Sequence, residues 1–216
     1  MAKRSFYVKD SELDDYQVKI INKKTDNSYI VKGCAGSGKS ILALWKAKQI
    51  LDEHKGSVLY VVNYDACFSW GKDAYGSFVR GAWKMGNYDY IILDEAQDFS
   101  REDIDILKSK VNKAFLIYGD TAQQLYKFLK GKVTVSMEDI QYFTKYPIEQ
   151  LVFNHRLPKK IARLAQYLNS ENDELEERCT EEGKDKPKIL QYQTIEAQYD
   201  AIISLIQNRN REDVGI

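Results

Sequence analysis

The sequence predicts an α/β fold in which a parallel sheet carries helices on both faces. Segments that are apolar throughout, such as residues 57–64 and 88–94, alternate along the chain with segments of helical periodicity. Strands without a polar face indicate a sheet that is covered on both sides. A glycine-rich turn at residues 33–40 connects the first such strand to a long helix. Right-handed crossovers would bring the carboxyl ends of the strands to one edge of the sheet, where we expect the functional side chains.

Each element is predicted from its apolar pattern and from the turn residues that bound it. We predict strands at residues 29–33, 57–64, 88–94, 113–120, 148–153 and 188–193, and helices at residues 11–21, 40–54, 101–110, 122–130, 158–170 and 194–209. The aromatic, glycine-dotted residues 65–87 predict no element. We assign residues 1–147 to a first lobe and residues 148–216 to the beginning of a second, truncated α/β lobe.

The composition is that of an ordinary globular protein. With 216 residues, 44% of them hydrophobic, the chain can bury one core and part of a second. The net charge is zero, so no overall electrostatic attraction to nucleic acid or to an anionic membrane is expected. Three scattered cysteines are typical of reduced thiols. No segment has the pattern of a membrane span or a signal peptide, so we expect a cytoplasmic protein without a membrane partner.

Residues 33–40, GCAGSGKS, match the phosphate-binding pattern G-x-x-x-x-G-K-S without a gap. They follow a strand and precede a helix, so backbone N–H groups and the helix N-terminus can surround phosphate oxygens. Lys39 is expected to reach the β- and γ-phosphates of ATP, and the Ser40 hydroxyl to ligate Mg²⁺. The alternative is a glycine-rich turn without function, and eight residues in register argue against it. The predicted ATP-binding residues of this loop are Gly33, Ala35, Gly36, Ser37, Gly38, Lys39 and Ser40.

The apolar strand at residues 88–93 ends in the acidic stretch DEAQD. By itself such a stretch could be the start of a helix with solvated acids. The phosphate-binding loop upstream supplies a phosphate and a metal on which these acids can act. Asp94 is then expected to bind Mg²⁺, and Glu95 to be the base that orients a water toward the γ-phosphate. A kinase with the same loop would lack this Asp-Glu step and would need an acceptor pocket instead.

Two later segments end strands at the same predicted edge. Residues 118–126, YGDTAQQLY, contain the end of one predicted strand and the residues after it. Residues 151–158, LVFNHRLP, do the same for another strand and place Arg156 just past its end. An arginine in that position is suited to meet the γ-phosphate. A single arginine before a proline would mean little by itself. The assignment of Arg156 to the γ-phosphate rests on its position in the chain after the other three segments.

This order of segments resembles a superfamily 1 helicase of the UvrD/Rep/PcrA group. GCAGSGKS, DEAQD, GDTAQQLY and FNHRLP are similar to the first four motifs of that family, and LDDYQ to the L-x-x-x-Q pattern that precedes them. The resemblance runs from about Leu13 to the end of the chain. It implies a complete RecA-like P-loop NTPase lobe, the opening part of a second lobe, and ATP and Mg²⁺ as cofactors.

The resemblance also implies roles for individual residues. Gln17 would read adenine, and His155 would lie against it. Gln97 would contact the γ-phosphate or the attacking water, and Gln123 would sense the γ-phosphate. With Arg156 at the γ-phosphate, the predicted catalytic residues are Lys39, Glu95, Gln123 and Arg156.

The chain departs from this family where the family contacts single-stranded DNA. Residues 61–69 do not match its T-F-T-N-K-A-A segment, and Phe128 and Leu129 replace a tryptophan and an arginine. Tyr64, Tyr126 and Phe128 lie at or just past the ends of predicted strands, and such flat rings can stack on bases. The alternative for these aromatics is packing in a core or an interface. The family's fifth and sixth motifs would lie beyond Ile216.

We therefore expect the ATP-hydrolysing core of a helicase or translocase that acts on single-stranded nucleic acid, DNA rather than RNA. The rest of the second lobe would come from a longer chain or from a partner chain. Without it we expect slow hydrolysis and no unwinding. The alternative is a nucleotide-dependent switch or interaction ATPase in a larger defence or nuclease complex, which the zero net charge and the mismatched DNA segment favour.

Overall fold

The computed structural model describes residues 12–62, 86–124, 128–129, 132–168, 174–184 and 186–208. The strands are β1 (Tyr29–Gly33), β2 (Val58–Val61), β3 (Tyr88–Leu93), β4 (Val111–Gly119), β5 (Phe128–Leu129), β6 (Lys132–Val133) and β7 (Ile148–Leu151). The α-helices are α1 (Asp15–Asn22), α2 (Lys39–Asp52), α3 (Arg101–Ser109), α4 (Met137–Thr144), α5 (Lys159–Ala165), α6 (Leu175–Arg178) and α7 (Ile195–Asn208). Short 3₁₀ helices lie at Ala96–Asp98, Thr121–Gln123 and Gln166–Leu168.

Five strands form one parallel sheet in the order β2-β3-β4-β1-β7. Val31 of β1 packs on one face of the sheet with Leu42 of α2. The next residue back along the strand, Ile30, packs on the other face with Ile104 of α3 and Ile140 of α4. All five side chains are buried, because successive residues of a strand point to opposite faces and both faces are covered. The predicted α/β fold with helices on both faces is therefore confirmed.

The strand at Ile148–Leu151 does not begin a new sheet. It pairs with β1 along the edge of the same sheet, and the pairs run from Ile30↔Ile148 to Gly33↔Leu151. The sequence pattern shows that a strand is present, but it does not show which sheet the strand joins. The first sheet therefore continues past residue 147, where we placed the boundary of the first lobe. A division of the chain into two lobes stays a prediction.

The segment after β4 differs from the predicted helix at residues 122–130. A 3₁₀ turn, Thr121–Gln123, is followed by the antiparallel pair of β5 and β6. Helical periodicity of apolar residues predicted a helix, whereas β5 and β6 turn the chain back on itself within a few residues. Phe128 accordingly lies in a strand.

Other elements also differ from the prediction, among them helix α6, which was not predicted. Helix α1 begins after Asp14, whose side chain accepts a hydrogen bond from the Gln17 N–H, and not at Ser11. Helix α4 was not predicted, although Ser136 begins it with a capping box. No strand forms at residues 188–193, all of which are described.

The last described helix, α7, confirms the prediction of a helix at residues 194–209 but contributes nothing to the core. None of its residues is buried, and Ile195 and Tyr199 are more than half exposed. No helix in the described ranges is both long and apolar enough to cross a lipid bilayer.

Candidate functional site

The sheet gathers the predicted motifs at one edge. Strand β1 runs into the glycine-rich loop, β3 into Asp94, and β4 into Asp120. Because β4 lies between β1 and β3, the segment after β4 sits between the loop and the acids. Strand β7 borders β1 on the other side, so the residues that follow it reach the loop from there.

The glycine-rich loop is held in a left-handed turn. Gly36 has φ of 78° and Gly38 has φ of 87°, values that side chains disfavour. Helix α2 begins directly after Gly38. The Lys39 ammonium group is nearly buried and donates hydrogen bonds to the carbonyl oxygens of Gly33, at 2.8 Å, and Cys34, at 3.0 Å. The lysine therefore lies across the loop and not out in solvent.

The loop has no room for additional side-chain atoms. A Cβ atom on Gly33 would lie 2.6 Å from Ser37 Oγ, and one on Gly38 would lie 2.7 Å from Gln17 Nε2. One on Gly36 would lie 2.5 Å from Asn154 Oδ1 and 2.8 Å from Cβ of Arg156. Glycine at these positions allows two other segments of the chain to contact the loop closely.

Asp94 is fully buried at the end of β3. Its Oδ2 accepts a hydrogen bond of 2.8 Å from the Tyr60 hydroxyl, and its Oδ1 accepts one of 3.0 Å from the Glu95 N–H. The Ser40 hydroxyl also hydrogen-bonds to this carboxylate. Burial raises the pKa of Asp94 above its ordinary value, with the Glu95 charge acting in the same direction and the hydrogen bonds opposing it. The two predicted metal ligands, Ser40 and Asp94, are thus in contact.

Glu95 has the left-handed backbone conformation that non-glycine residues seldom adopt, with φ of 52°. Its Oε2 accepts a hydrogen bond of 2.8 Å from Gln97 Nε2. Gln97 Oε1 in turn accepts one of 2.9 Å from the Asp120 N–H, and Asp120 Oδ2 accepts one of 2.8 Å from Gln123 Nε2. The second and third motifs therefore form one continuous chain of hydrogen bonds.

Gln17 connects α1 to the loop. Its Oε1 accepts a hydrogen bond of 3.1 Å from the Asp14 N–H, and its Nε2 donates one of 3.0 Å to the Ser37 carbonyl oxygen. The side chain is 5% exposed, yet it also lines the cavity described below.

The segment after β7 contacts the loop from the other side. The His155 N–H donates a hydrogen bond of 3.0 Å to the Gly36 carbonyl oxygen. Asn154 Oδ1 accepts hydrogen bonds from the N–H groups of Arg156, at 3.0 Å, and Leu157, at 2.9 Å, which fixes the turn that carries Arg156. The Arg156 side chain is exposed and lines the same cavity.

These segments enclose a cavity of about 640 Å³. The predicted residues that line it are Gln17, Ala35, Gly36, Gly38, Lys39, Ser40, Glu95, Gln123, His155 and Arg156. Gly33, Ser37, Asp94 and Gln97 lie behind this surface, and each is hydrogen-bonded to a residue that lines it. The structure therefore brings all the predicted nucleotide and metal residues together.

The predicted nucleic-acid contacts cannot be placed in the same way. Tyr64 and Tyr126 lie outside the described residues, as does the side chain of Phe128. Cavity-lining residues that sequence reasoning missed include Glu12, Ile41, Thr180 and Glu181. Asp14 and Tyr60 were missed too: the D-x-x-Q capping pattern could have indicated Asp14, whereas a tyrosine in an apolar strand gives no signal.

A parallel five-stranded sheet with this loop at the end of its β1 strand defines a RecA-like P-loop NTPase fold. Within that class, residues 29–201 match the family model of the viral superfamily 1 RNA helicase core domain. The match covers most of the chain, and the chain belongs to this family. The predicted membership of superfamily 1 is thereby confirmed. No curated protein matches the chain.

Several solved helicases are similar to the chain. The PRRSV helicase is 16% identical, with a TM-score of 0.45, over 72% of this chain and 36% of its own. Bacteroides Pif1 bound to ssDNA is 15% identical, with a TM-score of 0.45, over 76% of this chain and 48% of its own. Pif1 helicase from Candida albicans is 15% identical, with a TM-score of 0.48, over 64% of this chain and 39% of its own. The chain thus spans less than half the length of these helicases.

Proposed function

We propose that the chain is the ATP-binding and ATP-hydrolysing core of a UvrD-like nucleic-acid helicase or translocase. The supporting observation is that the five predicted motifs, which are distant in sequence, converge on one cavity. Its volume of about 640 Å³ lies in the range of small-molecule sites.

The loop suits a nucleotide's phosphates. No buried carboxylate pairs with Lys39 in the described contacts, so its ammonium group, which lines the cavity, is available to an anion. The N-terminus of α2 adds partial positive charge at the same place. When ATP binds, Lys39 exchanges its carbonyl partners for phosphate oxygens.

Mg²⁺ fits beside the N-terminus of α2, where Ser40 contacts Asp94. Ser40 and Asp94 supply oxygen atoms, which are the ligands this ion prefers. When bound, the ion would neutralise charge on the phosphates. Tyr60 holds the Asp94 carboxylate in place through the hydrogen bond to Oδ2.

Hydrolysis is assigned to the residues after β3, β4 and β7. Glu95 orients a water and accepts its proton, while Gln97 holds the Glu95 carboxylate at 2.8 Å. Gln123 and Arg156 line the cavity. With ATP bound, they would contact the γ-phosphate and stabilise the negative charge that develops on it.

The narrower parts of the proposal rest on the sequence motifs. DEAQD and the L-x-x-x-Q pattern favour the UvrD/Rep/PcrA group within superfamily 1. The partner is a single strand, DNA rather than RNA, which Tyr64, Tyr126 and Phe128 would contact by stacking. The rest of the second lobe comes from a longer chain or from a partner. The protein acts in the cytoplasm, and the 216-residue chain hydrolyses ATP slowly without unwinding.

Binding of a fluorescent ATP analogue and release of phosphate test this proposal. Lys39→Ala should weaken ATP binding at least tenfold, whereas Lys48→Ala on the same helix should not. Glu95→Gln should retain binding and lose hydrolysis on the order of 10²- to 10⁴-fold. Removal of Mg²⁺ should abolish hydrolysis. Equal ATP binding by wild type and Lys39→Ala would refute the assigned site.

Adding single-stranded oligonucleotides of DNA or RNA tests the second half of the proposal. Faster phosphate release with DNA than with RNA is expected. If neither the DNA nor the RNA oligonucleotide changes the rate of hydrolysis by a chain that includes the second lobe, the proposed motor function is wrong. The nucleotide-dependent switch then becomes the better account.

A further inference from the structure

Three separate parts of the chain are joined at one end of the cavity in a closed ring made of hydrogen bonds and one peptide bond. Asp14 bonds to Gln17, and Gln17 to Ser37. Ser37 follows Gly36 in the loop, Gly36 bonds to His155, and His155 returns to Asp14. We call these five residues the base-site ring. It joins α1, the loop and the segment after β7 into one unit.

Asp14 uses its two carboxylate oxygens for different purposes. Oδ1 accepts a hydrogen bond of 2.8 Å from the Gln17 N–H, which caps α1. Oδ2 lies 2.7 Å from His155 Nε2, although the two residues are 141 positions apart in the chain. The side chain of Asp14 is 13% exposed and that of His155 is 30% exposed, so the carboxylate is the better shielded partner of this pair. Helix capping alone would need only the first of these bonds.

The contact between Asp14 and His155 determines which nitrogen of the imidazole ring carries a proton. An ionised carboxylate can only accept hydrogen bonds, so His155 Nε2 must carry a proton. The other ring nitrogen, Nδ1, lies 3.4 Å from Thr180 Oγ1. The imidazole is therefore held by its edge while it lines the cavity.

The same set of contacts fixes the Gln17 amide. Its oxygen faces the Asp14 N–H and its nitrogen faces the Ser37 carbonyl oxygen, and a flipped amide would place like groups together at both contacts. One N–H and one oxygen lone pair remain for a ligand. A base edge with an amino donor beside a ring-nitrogen acceptor matches that pair of groups.

We propose that Asp14 is a positioning residue for the base of the nucleotide. Its bond to His155 keeps that imidazole and the Gln17 amide at a fixed separation, and thereby sets base affinity and the preference for adenine over guanine. Asp14 need not touch the nucleotide. This inference rests on the proposed function, because it needs a nucleotide in the cavity.

Two substitutions separate the bond to His155 from neighbouring roles. Asp14→Ser keeps a good N-cap, but its side chain is too short to bond His155. His155→Phe keeps a flat ring and removes the bond. Each should weaken binding of a fluorescent ATP analogue about tenfold. Each should also reduce the ratio of the affinities for the ATP and GTP analogues about tenfold. The double variant should bind about as weakly as either single one, because both remove the same interaction.

Two controls test whether the effects arise from the hydrogen bond between Asp14 and His155. Asp15→Ser changes the neighbouring carboxylate and should bind like the wild type. In ¹H–¹⁵N spectra of the imidazole groups, the wild type without nucleotide should show a protonated Nε2 in His155, and Asp14→Ser should change this signal. The chain has only two histidines, so His155→Phe assigns the resonance.

The outcomes distinguish the inference from the proposed function. If wild type and Lys39→Ala bind ATP equally, the proposed function fails. If binding depends on Lys39 but Asp14→Ser binds and discriminates as the wild type does, only the inference is overturned. Losses that multiply to about a hundredfold in the double variant would also overturn it, since independent contacts behave in that way.

Discussion

At the scale of single residues, Gly36 must be glycine for two reasons, its left-handed backbone conformation and the close contact with Asn154. Its φ of 78° costs a residue with a Cβ atom about 1–2 kcal/mol, and a Cβ atom would also lie 2.5 Å from Asn154 Oδ1. Gly36→Ala should therefore push away the turn that carries Arg156. We expect a melting temperature several degrees lower and ATP binding at least tenfold weaker, measured by thermal unfolding and by titration with a fluorescent analogue.

The matched control for this change is Gly86→Ala. Among the described residues, a Cβ atom on Gly86 meets nothing within 4 Å, so this variant should melt and bind as the wild type does. If Gly36→Ala behaves like Gly86→Ala, the loop is not confined in the way its contacts indicate.

Tyr60 affects the site without lining the cavity. Its hydroxyl donates to Asp94 Oδ2 at 2.8 Å, and both side chains are buried. Tyr60→Phe leaves a buried carboxylate oxygen without this donor, and loss of such a partner commonly weakens metal binding about tenfold or more. We expect the Mg²⁺ concentration for half-maximal ATP hydrolysis to rise by that factor, with the KM for ATP at saturating Mg²⁺ little changed. Tyr88→Phe, at the other end of β3, should leave the Mg²⁺ dependence unaltered.

At the scale of elements, α1 and α2 are connected by a buried lysine. Lys46 of α2 donates hydrogen bonds to the carbonyl oxygen of Ile21, at 2.6 Å, to that of Lys23, and to Gln49 Oε1, at 3.0 Å. It therefore caps the C-terminal end of the helix that carries Gln17. Burial lowers the pKa of Lys46 from 10.5 to about 8.

This shift predicts how stability depends on pH. Between about pH 8 and 10.5 the unfolded chain keeps the proton on Lys46 while the folded chain releases it. Stability therefore rises with pH across that window, because the unfolded state binds more protons. The free energy of unfolding of the wild type, measured by urea titration, should increase relative to that of Lys46→Met from about pH 8 to 10.

Measurements should stop near pH 10 because of Tyr29. Burial raises the pKa of Tyr29 to about 12 from 10.0, so above pH 10 the unfolded tyrosine ionises first and stability falls. A constant difference between the wild type and Lys46→Met from about pH 8 to 10 would contradict the shifted pKa of Lys46.

The sequence predicted those strands and loops that are determined by the residues within them. The apolar run of β3 and the motif of the loop determine where Asp94 and Lys39 lie, because strands end where their apolar residues end. The pattern of residues 122–130 was misleading, since a hairpin and a helix can share the same apolar spacing over so short a segment. Bonds such as Tyr60 to Asp94 and Asp14 to His155 join residues far apart in sequence and leave no local pattern.

At the scale of the whole molecule, the pairing of β7 with β1 decides where the folded unit can end. A chain of residues 1–147 lacks β7 and exposes the edge of β1. It also lacks His155 and Arg156. We expect it to unfold without a cooperative transition and to bind no ATP, as judged by thermal unfolding and titration with the fluorescent analogue.

A chain of residues 1–184 should behave differently. It retains β7, the cavity, and the contact in which Lys160 Nζ donates to the Gly183 carbonyl oxygen at 2.9 Å. It removes α7, which buries no residue. Its ATP affinity should lie within about twofold of the full chain, since no contact of the site is lost, and ATP should raise its melting temperature through mass action. If residues 1–147 fold and bind ATP alone, the first lobe ends where the sequence pattern placed it, and β7 belongs functionally to the second lobe.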